Sequence, residues 1–299
     1  MRQRAIYAAV CIFLTAFPAG LAAGTERHNP PQQSAALNSV LQLAQRNPTK
    51  LVAQTMHNEL NADLNDHSLW SYIEDKVDGD KHTVKKVVET PNGDLKLTIA
   101  QNGRPLSPDQ LKGEQARLEQ IAHNPDAEAK DQQAEHEDEQ KARQLMKIIP
   151  TAFLFKYEGH QDGIIYLSFR PNPNFNPPTR EAKVFHAMAG ILWIQAREKR
   201  LVKLAGHLTE DVDFGMGILG KLNKGGTFEL DRAEFAPTHW KTTLTDVHLS
   251  GRALFFKSIS EQQHEVDRDY RQVPRLNPVQ GAKLLEGQLS LAELSHSSR

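Results

Sequence analysis

Gly190-Ile191-Leu192-Trp193-Ile194-Gln195, the polar segment Ala196–Lys199, and Leu201-Val202-Lys203-Leu204-Ala205-Gly206-His207-Leu208 form one continuous stretch. Short runs rich in Val, Ile and Trp on either side of a polar turn are the signature of a β-hairpin. This hairpin sits in a longer region, Ala182 to Phe256, that reads as antiparallel strands throughout. Downstream come Thr227 to Ala236, His239 to Leu249, a Ser250-Gly251 turn and Arg252 to Glu261, with a last strand through Val266 to Val273. Upstream, Phe153, Phe155 and Tyr157 alternate with Leu154 and Lys156. After Asp162-Gly163, Ile165, Leu167 and Phe169 alternate with Tyr166, Ser168 and Arg170. Such alternation places one face of each strand against a core. The segment Pro171 to Pro178 carries four prolines and cannot join a ladder, because proline has no N–H to donate. Thr179 to Met188 suits either a short helix or a strand.

Further upstream the periodicity changes. Leu37, Val40, Leu41 and Ala44 follow helical spacing from about Ser34. Asn47-Pro48 restarts the helix with a capping Asn and a proline at the first position, and Leu51, Val52, Thr55, Met56 and Leu60 continue an apolar face. Three strands follow: Leu69 to Val77, Lys81 to Thr90, and Leu95 to Ile99. Asp78-Gly79, Asn92-Gly93 and Asn102-Gly103 punctuate them. Ser107-Pro108-Asp109-Gln110 is a capping box that opens a helical insertion over 107–149. Its middle, Asp126 to Arg143, is almost wholly charged and is expected to stand outside the core. Pro150 is expected to stop the helix. The fold class is therefore α+β: a large antiparallel sheet, covering helices and a charged helical insertion. The domain runs over 34–274, and 275–299 reads as a polar, flexible tail.

Met1 to Gly24 has the form of a secretory signal. Arg2 and Arg4 precede an apolar core from Ala5 to Phe17, and small residues follow up to Gly24. The apolar core is shorter than the roughly 18 residues a membrane helix needs. The chain's one cysteine, Cys11, lies within it, so the mature chain would carry no disulfide. Lys and Arg number 36 against 37 Asp and Glu, a net charge of -1, which becomes -3 when Arg2 and Arg4 leave. Without a basic stripe, nucleic acid is not an expected partner.

No catalytic constellation emerges, and the chain is not expected to be an enzyme. Gly215-Met216-Gly217-Ile218-Leu219-Gly220 matches G-x-G-x-x-G. The dinucleotide fingerprint also needs a crossover helix, and only Lys221 to Lys224 stand between the motif and Gly225-Gly226. The stretch reads instead as an apolar connection whose Phe214, Met216, Ile218 and Leu219 could cover something. Glu210-Asp211-Val212-Asp213 lacks the glycine and spaced oxygens of a calcium loop. His186, His207, His239 and His248 stand singly, so neither a metal nor a cofactor is expected. Trp193, Trp240, Phe228 and Phe255 serve either as core or as ligand contacts.

Several motifs resemble those of the LolA-like outer-membrane lipoprotein-sorting and carrier proteins, in particular a secreted bacterial branch of that superfamily. They are Asn102-Gly103-Arg104-Pro105-Leu106-Ser107, Phe169-Arg170-Pro171-Asn172-Pro173, Met188-Ala189-Gly190-Ile191-Leu192-Trp193-Ile194 and Phe214-Gly215-Met216-Gly217-Ile218-Leu219. Trp240 and Phe255-Phe256-Lys257 add to them. The resemblance implies a curved antiparallel half-barrel whose concave apolar face is closed by helices. It also implies a non-catalytic periplasmic carrier for lipid, acyl chains or a lipoprotein. The apolar cavity candidates are then Met188, Trp193, Phe214, Met216, Leu219, Phe228, Trp240 and Phe255. The rival is a periplasmic interaction or sensor module that binds an envelope protein on the same scaffold, through the charged insertion and the proline loop. Export should remove the signal, so N-terminal sequencing of the periplasmic product should start after a cut between Ala22 and Thr25. A soluble product that still begins at Met1 would overturn this.

Overall fold

Asn47 makes the first corner among the described residues. Helix α1 (Pro30–Arg46) ends there and α2 (Pro48–Asn65) begins, with the Asn47 side chain accepting from the Lys50 amide at 2.9 Å. The computed structural model describes residues 30–123, 129–214, 220–253 and 257–288. After α2 come β1 (Leu69–Asp78), β2 (Lys81–Val88), β3 (Leu95–Gln101) and the short β4 (Arg104–Pro105). Helices α3 (Pro108–His123) and α4 (Ala129–Ala152) lead to β5 (Phe153–Gln161) and β6 (Ile164–Pro171). A 3-10 turn over Glu181–His186 precedes β7 (Met188–Gln195), β8 (Arg200–Leu208), β9 (Val212–Phe214) and β10 (Gly220–Leu222). The chain continues through β11 (Thr227–Ala236), β12 (His239–Ala253), β13 (Lys257–Val273) and helix α5 (Pro278–Leu285). The class is α+β, and each strand pairs antiparallel with its neighbours.

Two compact units divide the chain. The first holds the residues up to Asp66 with Asp138–Gln262, the second His67–Glu137 with the residues from Gln263. In the first unit the strand order is β12-β11-β8-β7-β6-β5, and β10 pairs with β9 and β12. Asp162 and Gly163 both adopt positive φ, 50° and 79°, which a two-residue hairpin turn between β5 and β6 requires. That turn fixes the register, and register fixes the faces. Leu167, Leu192, Leu204 and Leu230 stand in one cross-strand row. All four are buried, in the same cluster as Val40, Leu51, Val52 and Met56 of α1 and α2 and Leu145, Met146 and Ile149 of α4. Helices therefore cover one face of this sheet. Each fully buried side chain of this kind contributes about 1.5–3 kcal/mol.

The second unit is a sheet of order β4-β3-β2-β1-β13, with α3 and α5 on β2 and β3. Leu95, Leu97, Leu118, Val273, Leu276, Ala282 and Leu285 make its core. The Ser107 capping box forms as expected: the Ser107 amide donates to Gln110 Oε1 at 2.9 Å, and the Gln110 amide to Ser107 Oγ at 3.3 Å.

The structure departs from the sequence reading in several places. The stretch after Pro274 holds α5, started by its own capping box between Asn277 and Gln280. Gly281 lets this helix sit so close to Leu95 that an added Cβ would come within 2.8 Å of Leu95 Cδ1. Pro150 lies inside the last turn of α4, where it forfeits its N–H bond and the helix ends two residues later. The charged run does not stay wholly outside, since Ala142 is buried. Thr179 to Met188 resolves into the 3-10 turn followed by the start of β7.

One charged group lies on the buried face of α2. Glu59 is fully buried, and Arg200 Nε and Nη2 donate to its two oxygens at 2.9 Å each. The Leu201 amide donates to Oε1 at 2.7 Å, and Arg232 Nη1 donates to Oε2. Two further guanidinium nitrogens reach carbonyls, Arg200 Nη1 to Thr238 O at 3.3 Å and Arg232 Nη2 to Trp240 O at 2.8 Å. Burial opposes ionisation of Glu59. The Arg232 and Arg200 charges, together with the hydrogen bonds from Arg200 and Leu201, outweigh it and hold the carboxyl below its ordinary range. A carboxyl depressed in this way contributes stability that is present above its unfolded value and is lost as pH falls through the folded one. Removing one member of a buried ion pair strands the other charge, so Glu59→Ala should destabilise the protein by about 3–5 kcal/mol. Replacing Glu59, Arg200 and Arg232 together by Met and Leu should cost less than Glu59→Ala alone. Denaturant midpoints of the two variants check the order.

Candidate functional site

The aromatic residues of the first unit gather where β5 and β6 meet the 3-10 turn. Strand alternation turns Phe153, Phe155 and Phe169 to the helix-covered face, with Phe155 directly opposite Phe169. The 3-10 turn buries Ala182, Val184 and Phe185 against them. Ring centroids lie 4.9 Å apart for Phe153 and Phe169 and 5.2 Å for Phe153 and Phe185. Ile149, Phe153, Phe169, Phe185, Met188 and Leu204 line a cavity of about 10 Å³, room for about one water. No lining side chain offers a hydrogen bond, and a cavity of that kind stays dry.

The cluster reaches outward through two half-buried rings. Phe155 stands 6.2 Å from Phe153, and Phe175 of the proline loop stands 6.4 Å from Phe185 and 5.7 Å from His186. The loop is held at its root by Asn172. Its amide donates to Ala152 O and its Nδ2 to Thr151 O, both at 2.9 Å. Prolines keep the rest of the loop out of any ladder.

The cavity candidates from the sequence part company. Met188 lines the cavity. Phe214 and Phe228 are buried in the same core cluster. Phe228 packs against bare backbone: a Cβ on Gly206 would lie 2.6 Å from its ring. Trp240 is buried elsewhere, beside Arg200, whose guanidinium sits 6.0 Å from the ring centroid, and its Nε1 donates to Glu198 Oε2 at 3.1 Å. Met216, Leu219 and Phe255 lie outside the described residues. β9 and β10, which flank 215–219, pair antiparallel with Phe214 opposite Gly220, so the glycine motif leads into a strand.

Trp193 stands on the other face of the sheet. Its row is Tyr166, Trp193, Lys203 and Asp231, one residue out of step with the leucine row. Its ring meets Tyr166 edge-on at 5.1 Å, and Lys203 Nζ stands 5.5 Å from its centroid. Lys203 also binds Asp231 at 2.7 Å and Glu229, and these contacts outweigh its burial and raise its basicity. Ile191 on this face is 37% exposed. The acidic run at Glu210 to Asp213 is engaged otherwise, with Asp211 taking Lys221 Nζ at 2.6 Å and the Lys224 amide at 2.7 Å. Among the described residues no group of three or more His, Cys, Asp or Glu could hold a metal ion. No helix among them is long and apolar enough to cross a membrane.

Sequence alternation identifies Phe153 and Phe169 only as strand residues, and it does not single out Ile149, Phe185 or Leu204 as site residues. The signal that could have found them is parity. Two alternating aromatic runs joined by a two-residue turn put Phe153, Phe155 and Phe169 on one side. No family model, no curated protein and no solved structure matches this chain.

Removal of Trp193 loses one edge-on aromatic contact and one cation–π contact, together about 1–2 kcal/mol. Removal of Phe185 from the packed side costs about 3–5 kcal/mol. Denaturant midpoints of Trp193→Ala and Phe185→Ala should therefore fall in that order, and the reverse order would contradict the assignment of faces.

Proposed function

We propose that the first unit is a non-catalytic periplasmic carrier or binding module that takes the apolar chain of a lipid or of an acylated protein at the phenylalanine-lined site. One observation carries this reading. Six apolar residues from four strands, the 3-10 turn and a helix end converge with no polar side chain among them, and Phe155 and Phe175 extend the surface outward. A site without hydrogen-bonding groups selects for hydrocarbon. Each methylene it buries is worth about 0.8 kcal/mol. The resemblance of the motifs to LolA-like carriers points to the same cargo class, and the basic and apolar N-terminus to export.

The cavity of about 10 Å³ is far below the roughly 300–1,000 Å³ of a ligand pocket. Loading therefore requires a wall to move. The proline loop carrying Phe175 is that wall, since it is pinned at Asn172 and has no ladder beyond it. Phe185, Phe169 and Leu204 then line the opened groove.

A second reading, an interaction module for an envelope protein, draws on the opposite face. There Tyr166, Trp193 and the exposed Ile191 adjoin the Lys203, Glu229 and Asp231 cluster. Lipid uptake separates the two. Delipidated full-length protein should bind a fluorescent fatty acid saturably. Phe175→Asp should weaken binding by about tenfold or more, a step of about 1.4 kcal/mol, while Trp193→Ala leaves it unchanged. Folded protein that takes up no lipid would sink the carrier reading. Loss of binding in Trp193→Ala, with Phe175→Asp unaffected, would move the site to the other face.

A further inference from the structure

The second unit carries a second, unusual cluster on β1, β2, β3 and β13. Glu74 of β1 is 3% exposed and directly opposite Asp267 of β13. Like charges placed directly opposite on antiparallel strands repel. Three lysines on these strands could relieve that repulsion, but each is engaged. Lys85 Nζ and Lys96 Nζ each donate to a Glu74 oxygen at 2.7 Å. Lys76 Nζ lies 2.9 Å from Glu265, its cross-strand neighbour. Asp267 is left with a long hydrogen bond of 3.4 Å from the Tyr270 hydroxyl to Oδ2. Its Oδ1 is buried and has no hydrogen-bond partner.

The backbone beside this carboxyl is irregular. The β1–β13 register shifts between Ser71 and Ile73, and Asp269 adopts a positive φ of 62°. The bulge brings Tyr270 onto Tyr72, with centroids 4.8 Å apart and planes at 23°. The seam is thus closed by stacked rings and by a carboxyl that no cation neutralises. In its acid form Asp267 presents a neutral, weakly polar group, which such a place tolerates. As a carboxylate it would be a half-buried charge facing Glu74 and Glu265.

We propose that the pairing of β1 with β13 is a pH-sensitive seam, closed by the acid form of Asp267 and loosened when that side chain ionises opposite Glu74. Within this unit the ionisable groups around it are Tyr72, Glu74 and Lys76 on β1, Lys85 on β2, Glu89 after β2, Asp94 and Lys96 at β3, and Glu265 and Tyr270 on β13. Of these, Glu74 stays ionised: burial opposes it, but Lys96 and Lys85 draw its carboxyl down to about 2. Asp267 goes the other way. Burial first, then the Glu265 and Glu74 charges, push it up to about 8 despite Lys96.

The direction of the pH effect follows. Asp267 titrates at about 8 when the seam is closed and near its ordinary value of 3.8 when it is open and solvated. Between those values the closed seam holds one proton more than the open one. Closure is therefore fully favoured below about 4 and loses ground as pH rises, by up to about tenfold in the opening constant per pH unit, until it levels off above about 8.

Hydrogen exchange of the full-length chain tests this. Peptides covering 69–78 and 263–273, corrected for intrinsic exchange, should show an opening constant that rises with pH across this range and then flattens. Peptides from β6 to β8 serve as the reference. Asp267→Asn, an uncharged replacement of the acid form, should stay protected and lose the pH dependence. The same pH dependence in folded Asp267→Asn, or none in the wild type, would overturn the proposal. Should the variant not fold, carboxyl carbon NMR of wild-type protein labelled at aspartate decides. One carboxyl titrating near 8 is expected, and a full set titrating below about 5 would overturn the proposal.

Discussion

A single carboxylate held between two arginines ties the helical layer of the first unit to its sheet. Glu59 lies in the apolar stripe of α2, two turns beyond Leu51 and Val52. Taking three charges out of water costs several kcal/mol per ion, and that cost is offset only when every partner is in place. Arg200 and Arg232 must therefore turn to the same face from different strands. The β7–β8 pairing carries a register shift between Trp193 and Ile194. On β8 it leaves Lys203 on the outer face and Leu201 on the inner one, and the Leu201 amide completes the carboxylate's partners. Geometry this demanding fixes where α2 sits along the sheet, which apolar contact by itself does not.

With α2 placed, the two faces of the first sheet take different characters. The core of the covered face is hydrocarbon and aromatic from α1 to β12, and the charged triad is set beside it. At the corner made by β5, β6 and the 3-10 turn its packing is closed by a loop rather than by a strand or helix. Corners of that kind open at low cost, because few backbone hydrogen bonds must break. The opposite face carries Tyr166, Trp193 and the Lys203 charge cluster. A carrier and an interaction module would each use a different side of the same sheet.

The second unit handles charge differently. In the first, each Glu59 oxygen is matched to donors from Arg200, Arg232 and the Leu201 amide. In the second, three lysines are spent on two carboxylates and a third carboxyl, Asp267, is left over. An unmatched buried carboxyl stays cheap only while it keeps its proton. That makes the β1–β13 seam sensitive to pH in a range where Glu59 is not.

Features set by near neighbours were legible in the residues themselves. The Asn47 and Ser107 caps, the Asp162-Gly163 turn and the alternation of Phe153 to Tyr157 and Ile165 to Phe169 each depend on a few adjacent residues. Local hydrogen bonding, allowed φ and strand parity therefore decide them. The antiparallel sheet and the α+β class follow from the same signals. The partners of Glu59 were not legible, since they lie more than 140 positions away on strands whose register a bulge resets. Nor was the side to which Trp193 points, because parity within one strand says nothing about which face the helices will cover. The helix after Pro274 reads as tail until Leu95 and Gly281 are seen in contact. Tertiary structure decided these because each depends on charge or apolar surface meeting across a long loop, and only the folded chain brings those surfaces within reach of one another.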